Sequence, residues 1–275
     1  MAQDYMQDYA ANATSFDDKT ELRGQVALVT GASSGIGAAV AEALVRRGVS
    51  VAMAARRTDR LQEMAARLAD EARERNANDG AYGETLALAC DVRDAGQTEA
   101  AVRQTLDRWR RLDIVVANAG IGIRRPLVEA DPQRWKEMLD TNVYGLLLTL
   151  KYAVAPMLER KRGHVIVMSS VAGRVPTGGG SAYCGAKAAA TAIAESLRIE
   201  VSAQGVRVTT IEPGVVISEF QQVAEYAPEI VPNMLKGATP LYPADIARTI
   251  IFALEQPASV GLHEILIRPA GQVYP

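Results

Sequence analysis

From residue 25 onward, short apolar runs alternate with longer stretches whose apolar positions recur every three to four residues. Gln25-Val-Ala-Leu-Val-Thr30 is nearly all apolar and ends at a glycine, as a parallel strand covered on both faces does. Ala38–Arg47 predicts a helix, closed by Gly48 where helices commonly end. Val49–Ala55 predicts the second strand, and Leu61, Met64 and Leu68 mark the buried stripe of a second helix. A turn over 76–80 leads to a third strand, Thr85–Cys90, then a helix around Thr98–Trp109 and a strand Asp113–Ala117. Asp131-Pro132 is a good N-cap and first-turn pair for a long helix running toward Leu158. Strand His164–Met168, a helix carrying Tyr183, and strand Val206–Ile211 follow. Pro213 to Pro243 is irregular, Ala244–Glu255 is helical and Glu264–Arg268 is a last strand. Seven strands alternating with six helices predict an α/β chain of Rossmann type: a doubly wound, seven-stranded parallel sheet with helices on both faces. Residues 1–20 are polar and acidic and read as a flexible extension, with 21–275 as one domain.

Composition narrows the function classes. A 275-residue chain that is 48% hydrophobic can bury a full core. Its formal net charge of −2 carries no signature of nucleic acid or of an anionic membrane. No apolar run approaches the roughly 18 residues of a membrane span, and the first residues lack the basic start and apolar core of a signal peptide. Cys90 and Cys184 form neither a disulfide framework nor a metal-ligand spacing. The expectation is a cytoplasmic protein without metal.

Three stretches carry candidate chemistry. Tyr183 and Lys187 are four residues apart in a helix of strong helix formers, so they share a face. A neighbouring ammonium favours phenolate and would lower the phenol's pKa from about 10. Such a phenol can give a proton to a forming alkoxide or take one back. Second, Thr30-Gly-Ala-Ser-Ser-Gly-Ile-Gly37 closes the first strand. Glycines at 31, 35 and 37 allow a tight turn that brings backbone amides and a helix N-terminus to a pyrophosphate. Third, the second strand ends in Ala55-Arg56-Arg57 with no acid to hold a ribose 2′-hydroxyl. Two guanidiniums suit the 2′-phosphate of NADP(H) rather than NAD(H).

With these residues the chain resembles the compact single-domain short-chain dehydrogenase/reductase family, from about Arg23 to Val273. The likeness includes the glycine stretch, Asp91-Val92, Asn118-Ala-Gly120, Asn142, Ser169-Ser170, Tyr183-x-x-x-Lys187 and Pro213-Gly214. Asn142 lies 28 residues before Ser170, and Ser170 lies 13 before Tyr183, as in the family. The resemblance implies that Tyr183 is the acid/base and that Lys187 tunes it and holds the nicotinamide ribose. It implies that Ser170 bonds the substrate oxygen, and that Asn142 kinks the long helix and holds a water linking Lys187 to solvent. It further implies cofactor contacts from Gly31, Ser33, Ser34, Gly35, Ile36, Gly37, Arg56 and Arg57. Asp91 and Val92 would meet adenine, and Asn118, Ala119 and Gly120 would line the cofactor. Pro213, Gly214, Val216 and Ser218 would meet the nicotinamide end, with Ser218 where the family usually has threonine.

The implied reaction is hydride transfer between NADP(H) and a small carbonyl or alcohol: a ketone or aldehyde reductase, or a dehydrogenase of 3-hydroxy acids. A 3-oxoacyl-thioester reductase and a non-catalytic NADP(H)-binding sensor or scaffold are the alternatives. The epimerase/dehydratase branch usually has a longer chain and a different glycine spacing. Substrate selection should lie in Ile121–Arg125, Val171–Gly180 and Ser218 to about Pro240, with Glu219, Phe220, Tyr226 and Met234 as pocket wall. Glu225 and Glu229 read as solvated, Arg174 as a surface arginine that could instead face a carboxylate, and His164 and His263 as without a catalytic role. The family is usually a homotetramer, or a homodimer, pairing the long helix with the Tyr183 helix. Ala188, Ala192, Leu147 and Leu150 permit that pairing here.

Overall fold

Seven parallel strands lie side by side in the order β3-β2-β1-β4-β5-β6-β7 in the computed structural model, which describes residues 20–75 and 82–272. The strands are β1 Val26–Thr30, β2 Ser50–Ala55, β3 Thr85–Ala89, β4 Ile114–Ala117, β5 Gly163–Met168, β6 Val206–Pro213 and β7 Glu264–Ile267. All five residues of β1 and all four of β4 are buried, because helices cover both faces. That is why these central strands show no polar alternation in the sequence.

On one face α1 (Gly35–Val45), α2 (Thr58–Arg75) and α9 (Pro243–Glu255) pack Leu44, Leu61, Leu68 and Ile250 onto Val29, Met53 and Val116. On the other, α3 (Ala95–Trp109), α5 (Gly145–Glu159) and α6 (Ser181–Val201) pack Val102, Val154, Met157 and Ala194 onto Leu28, Val115 and Val167. The helix ends follow their capping residues. Asp94 accepts from Gln97 N at 2.9 Å at the start of α3. Asp131 does the same for Gln133 N at 2.9 Å before Pro132 opens α4 (Pro132–Leu139).

The expected long helix after Asp131 is interrupted in its winding. Between α4 and α5, Asp140–Tyr144 forms a single wide π turn, a local feature that often marks functional sites. The irregular segment after β6 holds two short helices, α7 (Phe220–Val223) and α8 (Ile230–Leu235). The turn expected over 76–80 and the extension 1–19 lie outside the described residues, and Thr20 is already tied to Glu255 O at 2.8 Å. Leu147, Ala188 and Ala192 are exposed, but Leu150 is 5% exposed and packs in the core. Leu150 is thereby removed from any contact between copies. Among the described residues no helix is long and apolar enough to cross a membrane.

Candidate active site

The strand order reverses between β1 and β4, so their carboxyl ends diverge and leave a crevice. A cavity of about 400 Å³ opens there. Toward the β2–β3 flank it is lined by Gly31, Ser33, Ser34, Gly35 and Ile36 of the β1–α1 turn, then by Arg56, Arg57, Asp91 and Val92. Toward the β5–β6 flank it is lined by Ser170, Tyr183 and Lys187, and by Pro213, Gly214, Val216 and Ser218. Asn118, Ala119 and Gly120, just past β4, sit between the two. Nearly every candidate residue thus borders one space.

Two candidates stand behind the wall. Gly37 does not reach the cavity, because a Cβ there would lie 2.3 Å from Gly31 O and 2.5 Å from Asn118 Nδ2. Its bare Cα lets α1 press against the turn, while Gly31 and Gly35 adopt φ of +67° and +55°. Thr30 and Asn118 then lock the ends of β1 and β4: Thr30 Oγ1 accepts from Asn118 N and Ala119 N, each at 3.1 Å. Asn142 is the other. Buried in the π turn, its Oδ1 accepts from Ile121 N at 2.9 Å and its Nδ2 donates to Ile121 O at 2.8 Å. The wide turn carries an amide that holds the loop after β4 at both polar groups of one residue.

The serine doublet resolves by hydrogen bonding. Ser169 Oγ donates to Lys187 O at 2.9 Å and meets Thr191 Oγ1 at 2.8 Å. Ser170 Oγ accepts from Ala172 N at 3.1 Å and donates to Pro213 O at 3.4 Å, beside the cavity. Tyr183 and Lys187 share a face of α6, with Nζ 5.9 Å from the ring centroid.

The expected electrostatics of that pair are corrected. Burial pushes the Tyr183 phenol well above its ordinary value, and the Ser170 hydroxyl offsets this only in part. Lys187 Nζ donates to Met168 O at 2.8 Å, so its charge is directed at a carbonyl rather than at the phenol oxygen. Burial also lowers the Lys187 ammonium to about 8. Helical spacing gave the neighbours correctly; the surroundings determine the sign.

Other charged candidates have partners. Arg174 ion-pairs with the fully buried Glu212 and with Glu264, so it ties β5's exit to β6 and β7 and faces no substrate. Glu225 pairs with Arg125 at 3.3 Å and Arg134 at 3.2 Å. Asp91 binds Arg93 at 2.6 Å. Glu219 belongs less to the pocket wall than to the arginines: Arg57 Nη1 meets it at 3.0 Å and Arg60 Nη1 at 2.6 Å. Arg57 also donates to Ser34 Oγ at 2.6 Å and Ser33 Oγ at 3.2 Å. Phe220 stands 5.6 Å from Tyr183 and 6.3 Å from Tyr226, ring centre to ring centre. Arg60, Arg124 and Thr177 are additions that no spacing singles out. For Arg124 the available signal was its position four residues past Gly120, inside a stretch expected to select substrate. Among the described residues no cluster of His, Cys, Asp and Glu could hold a metal ion.

The family model described as short chain dehydrogenase matches residues 25–228. The chain belongs to that family. It is therefore a short-chain oxidoreductase, and its relatives agree over nearly its whole length. Serine 3-dehydrogenase of Agrobacterium fabrum is 34% identical over 249 residues, covering 90% of this chain and 94% of the relative. Glycine betaine reductase of Emericella nidulans is 38% identical over 253 residues, 91% of this chain but only 19% of that protein's length. Among solved structures, the closed form of serine dehydrogenase complexed with NADP+ superposes with a TM-score of 0.76 at 31% identity, covering 91% of this chain and 97% of the other. The seven-stranded parallel sheet with helices on both faces thus matches the fold of solved short-chain dehydrogenase/reductase structures.

Proposed function

We propose that the chain is an NADP(H)-dependent dehydrogenase/reductase that interconverts a small carbonyl compound and its alcohol. The observation that carries this reading is convergence: Ser170, Tyr183 and Lys187 border the same cavity as the β1–α1 turn and the two arginines after β2. The cavity suits a dinucleotide. Gly31 and Gly35 take positive φ, and a Cβ at Gly31 would lie 2.9 Å from Ala119 Cα, so glycine lets this tight turn sit against the end of β4 at the cavity, where the N-terminus of α1 suits a pyrophosphate. Arg56 and Arg57 supply the charge for a 2′-phosphate, which the NADP-bound relatives support.

Bound there, the nicotinamide supplies or accepts the hydride. The chain's own residues handle position and protons. Tyr183, protonated at neutral pH because it is buried, is the proton donor to the substrate oxygen during reduction and the acceptor in reverse. Ser170 Oγ is the second donor to that oxygen and steadies its developing charge. Lys187 would hold the cofactor ribose, and its Nζ, bonded to Met168 O, lies 5.9 Å from the centre of the Tyr183 ring. Asn142 is a positioning residue, because it fixes the loop that forms the wall between the two flanks. Leu147, Ala188 and Ala192 are exposed on α5 and α6 and support pairing of these helices in a homotetramer.

The test is consumption of NADPH and of NADH with a panel of aldehydes, ketones and oxo acids, beside Tyr183→Phe. The variant should lose about 10²- to 10⁴-fold in kcat while still binding NADPH. Equal turnover by the variant would remove Tyr183 from its role, and a preference for NADH would overturn the reading of the arginines.

A further inference from the structure

Of the charged side chains lining the cavity on the substrate side, Arg124 and Lys187 have no ion-pair partner among the described residues, and Lys187 is directed at Met168 O. The Arg124 backbone is pinned, since Arg124 N donates to Ala224 O at 3.2 Å and Arg125 N to Gly179 O at 2.9 Å. The loop after β4 is thereby stitched between the segment after β6 and the entry to α6. The guanidinium lies 5.7 Å from the centre of the Tyr226 ring, and Nη1 donates to Thr177 Oγ1 at 3.3 Å. Both partners are neutral. Among the described residues no carboxylate comes within ion-pair distance of it, although the next residue, Arg125, has taken Glu225. Glu219, the acid on the same segment, is held by Arg57 and Arg60.

A half-buried guanidinium has five N–H donors in a fixed fork, and here they are engaged only by two neutral hydroxyls, those of Thr177 and Tyr226. The stacked ring and the hydroxyls hold the fork still without neutralising it. Such a fork matches a carboxylate, which can accept two parallel hydrogen bonds. We propose that Arg124 is a substrate-specificity residue: the site takes hydroxy acids and their oxo forms, with the carboxylate held by Arg124 against Tyr226 and Thr177. This rests on the dehydrogenase/reductase reading above.

The same pocket could be read the opposite way. Tyr183, Phe220 and Tyr226 form a run of aromatic faces, which is the kind of surface that attracts a quaternary ammonium. Yet the Tyr226 face already carries a guanidinium, and Lys187 adds a second positive charge to the cavity wall. Neither is offset by an acid on that side, so a cationic substrate meets repulsion where an anionic one meets a partner.

The experiment compares 3-hydroxybutyrate, 3-hydroxybutyramide and choline as substrates with NADP+, in the native chain, Arg124→Gln and Arg124→Lys. The acid should exceed the amide at least tenfold in kcat/KM, with choline lowest. Arg124→Gln should raise KM for the acid at least tenfold, with kcat and the amide's constants little changed, and Arg124→Lys should recover part of the loss. Binding of 3-hydroxybutyrate to the NADPH complex is followed in parallel by calorimetry. Turnover without preference between acid and amide, a preference for choline, or a ratio that survives Arg124→Gln overturns the proposal while the dehydrogenase reading stands. Silence toward all three alcohols with Arg124-dependent binding of the acid supports Arg124 as the carboxylate partner, and the dehydrogenase reading is then decided separately by the carbonyl panel and Tyr183→Phe. Silence with no such binding overturns the role of Arg124.

Discussion

Lys187 carries an ammonium where one is disfavoured, and its pH response is the clearest residue-scale consequence. Its pKa is about 8 in the fold and about 10.4 in an unfolded chain. Between those values the unfolded state binds more protons, so stability rises with pH across this window, and below about 8 the buried charge weighs fully against the fold. At about 1.4 kcal/mol per unit, the rise is on the order of 3 kcal/mol. Urea unfolding of the cofactor-free chain at pH 7.5 and 9.5 should show about 2 kcal/mol of this rise, and Lys187→Met should flatten most of the difference. A native chain with the same slope as the variant would place the titration elsewhere. At this scale the sequence was informative about identity and silent about environment. The four-residue spacing makes Tyr183 and Lys187 neighbours in any helix. Whether charge or burial governs the phenol depends on Met168 O and on walls contributed by distant strands. Arg174 was illegible for the same reason, since its partners Glu212 and Glu264 lie 38 and 90 residues away.

Two elements meet at Asn142, and two more at Asp113. The π turn gives Asn142 a reach to both polar groups of Ile121. Asn142→Leu would leave that N–H and C=O without their partner, costing about 1–3 kcal/mol for each group left unsatisfied. The expected result is lower thermal stability together with a reduced kcat. Unchanged kcat in a destabilised variant would make the residue structural only. Asp113, 2% exposed at the foot of β4, accepts from Val26 N at 2.9 Å and from Arg111 Nε at 2.6 Å, and pairs with Arg160 at 3.0 Å. Burial raises its pKa, but the hydrogen bonds and both arginines outweigh that and hold the carboxyl low. Its contribution is thus present at neutral pH and is lost as pH falls below the ordinary carboxylate range. Asp113→Ala should cost about 2–4 kcal/mol in urea unfolding, below the full cost of breaking a buried pair because both arginines are about one-third exposed. A loss under 1 kcal/mol would show that solvent screens the group. Element existence was legible because β1, β4 and β5 are continuous apolar runs and α2 shows its stripe at Leu61, Met64 and Leu68. A disturbance of the long helix at Asn142 was expected from the resemblance alone; its π winding over Asp140–Tyr144 was not legible, because these five residues have no composition that distinguishes π from α winding.

For the whole molecule, the strand count and parallel arrangement followed from alternation alone, and the crevice followed from the order in which such sheets wind. What alternation does not convey is how the segment after β6 attaches to the rest. Glu219 supplies that attachment through Arg57 and Arg60, with Phe220 beside it against Tyr183. The guanidinium Arg57, which a 2′-phosphate would address, is therefore already engaged by the chain itself. A dianion arriving at Arg57 competes with Glu219, so cofactor affinity and the posture of this segment are reciprocal quantities. Glu219→Gln should tighten NADPH binding several-fold in fluorescence titrations, leave NADH binding nearly unchanged, and increase proteolytic cutting near residues 219–226 in the cofactor-free chain. Equal shifts for both nucleotides would refute the competition. Inhibitor design inherits the same reciprocity: a compound that wedges the Phe220 side open would also free Arg57 from Glu219, and so alter how firmly the enzyme grips its own redox carrier.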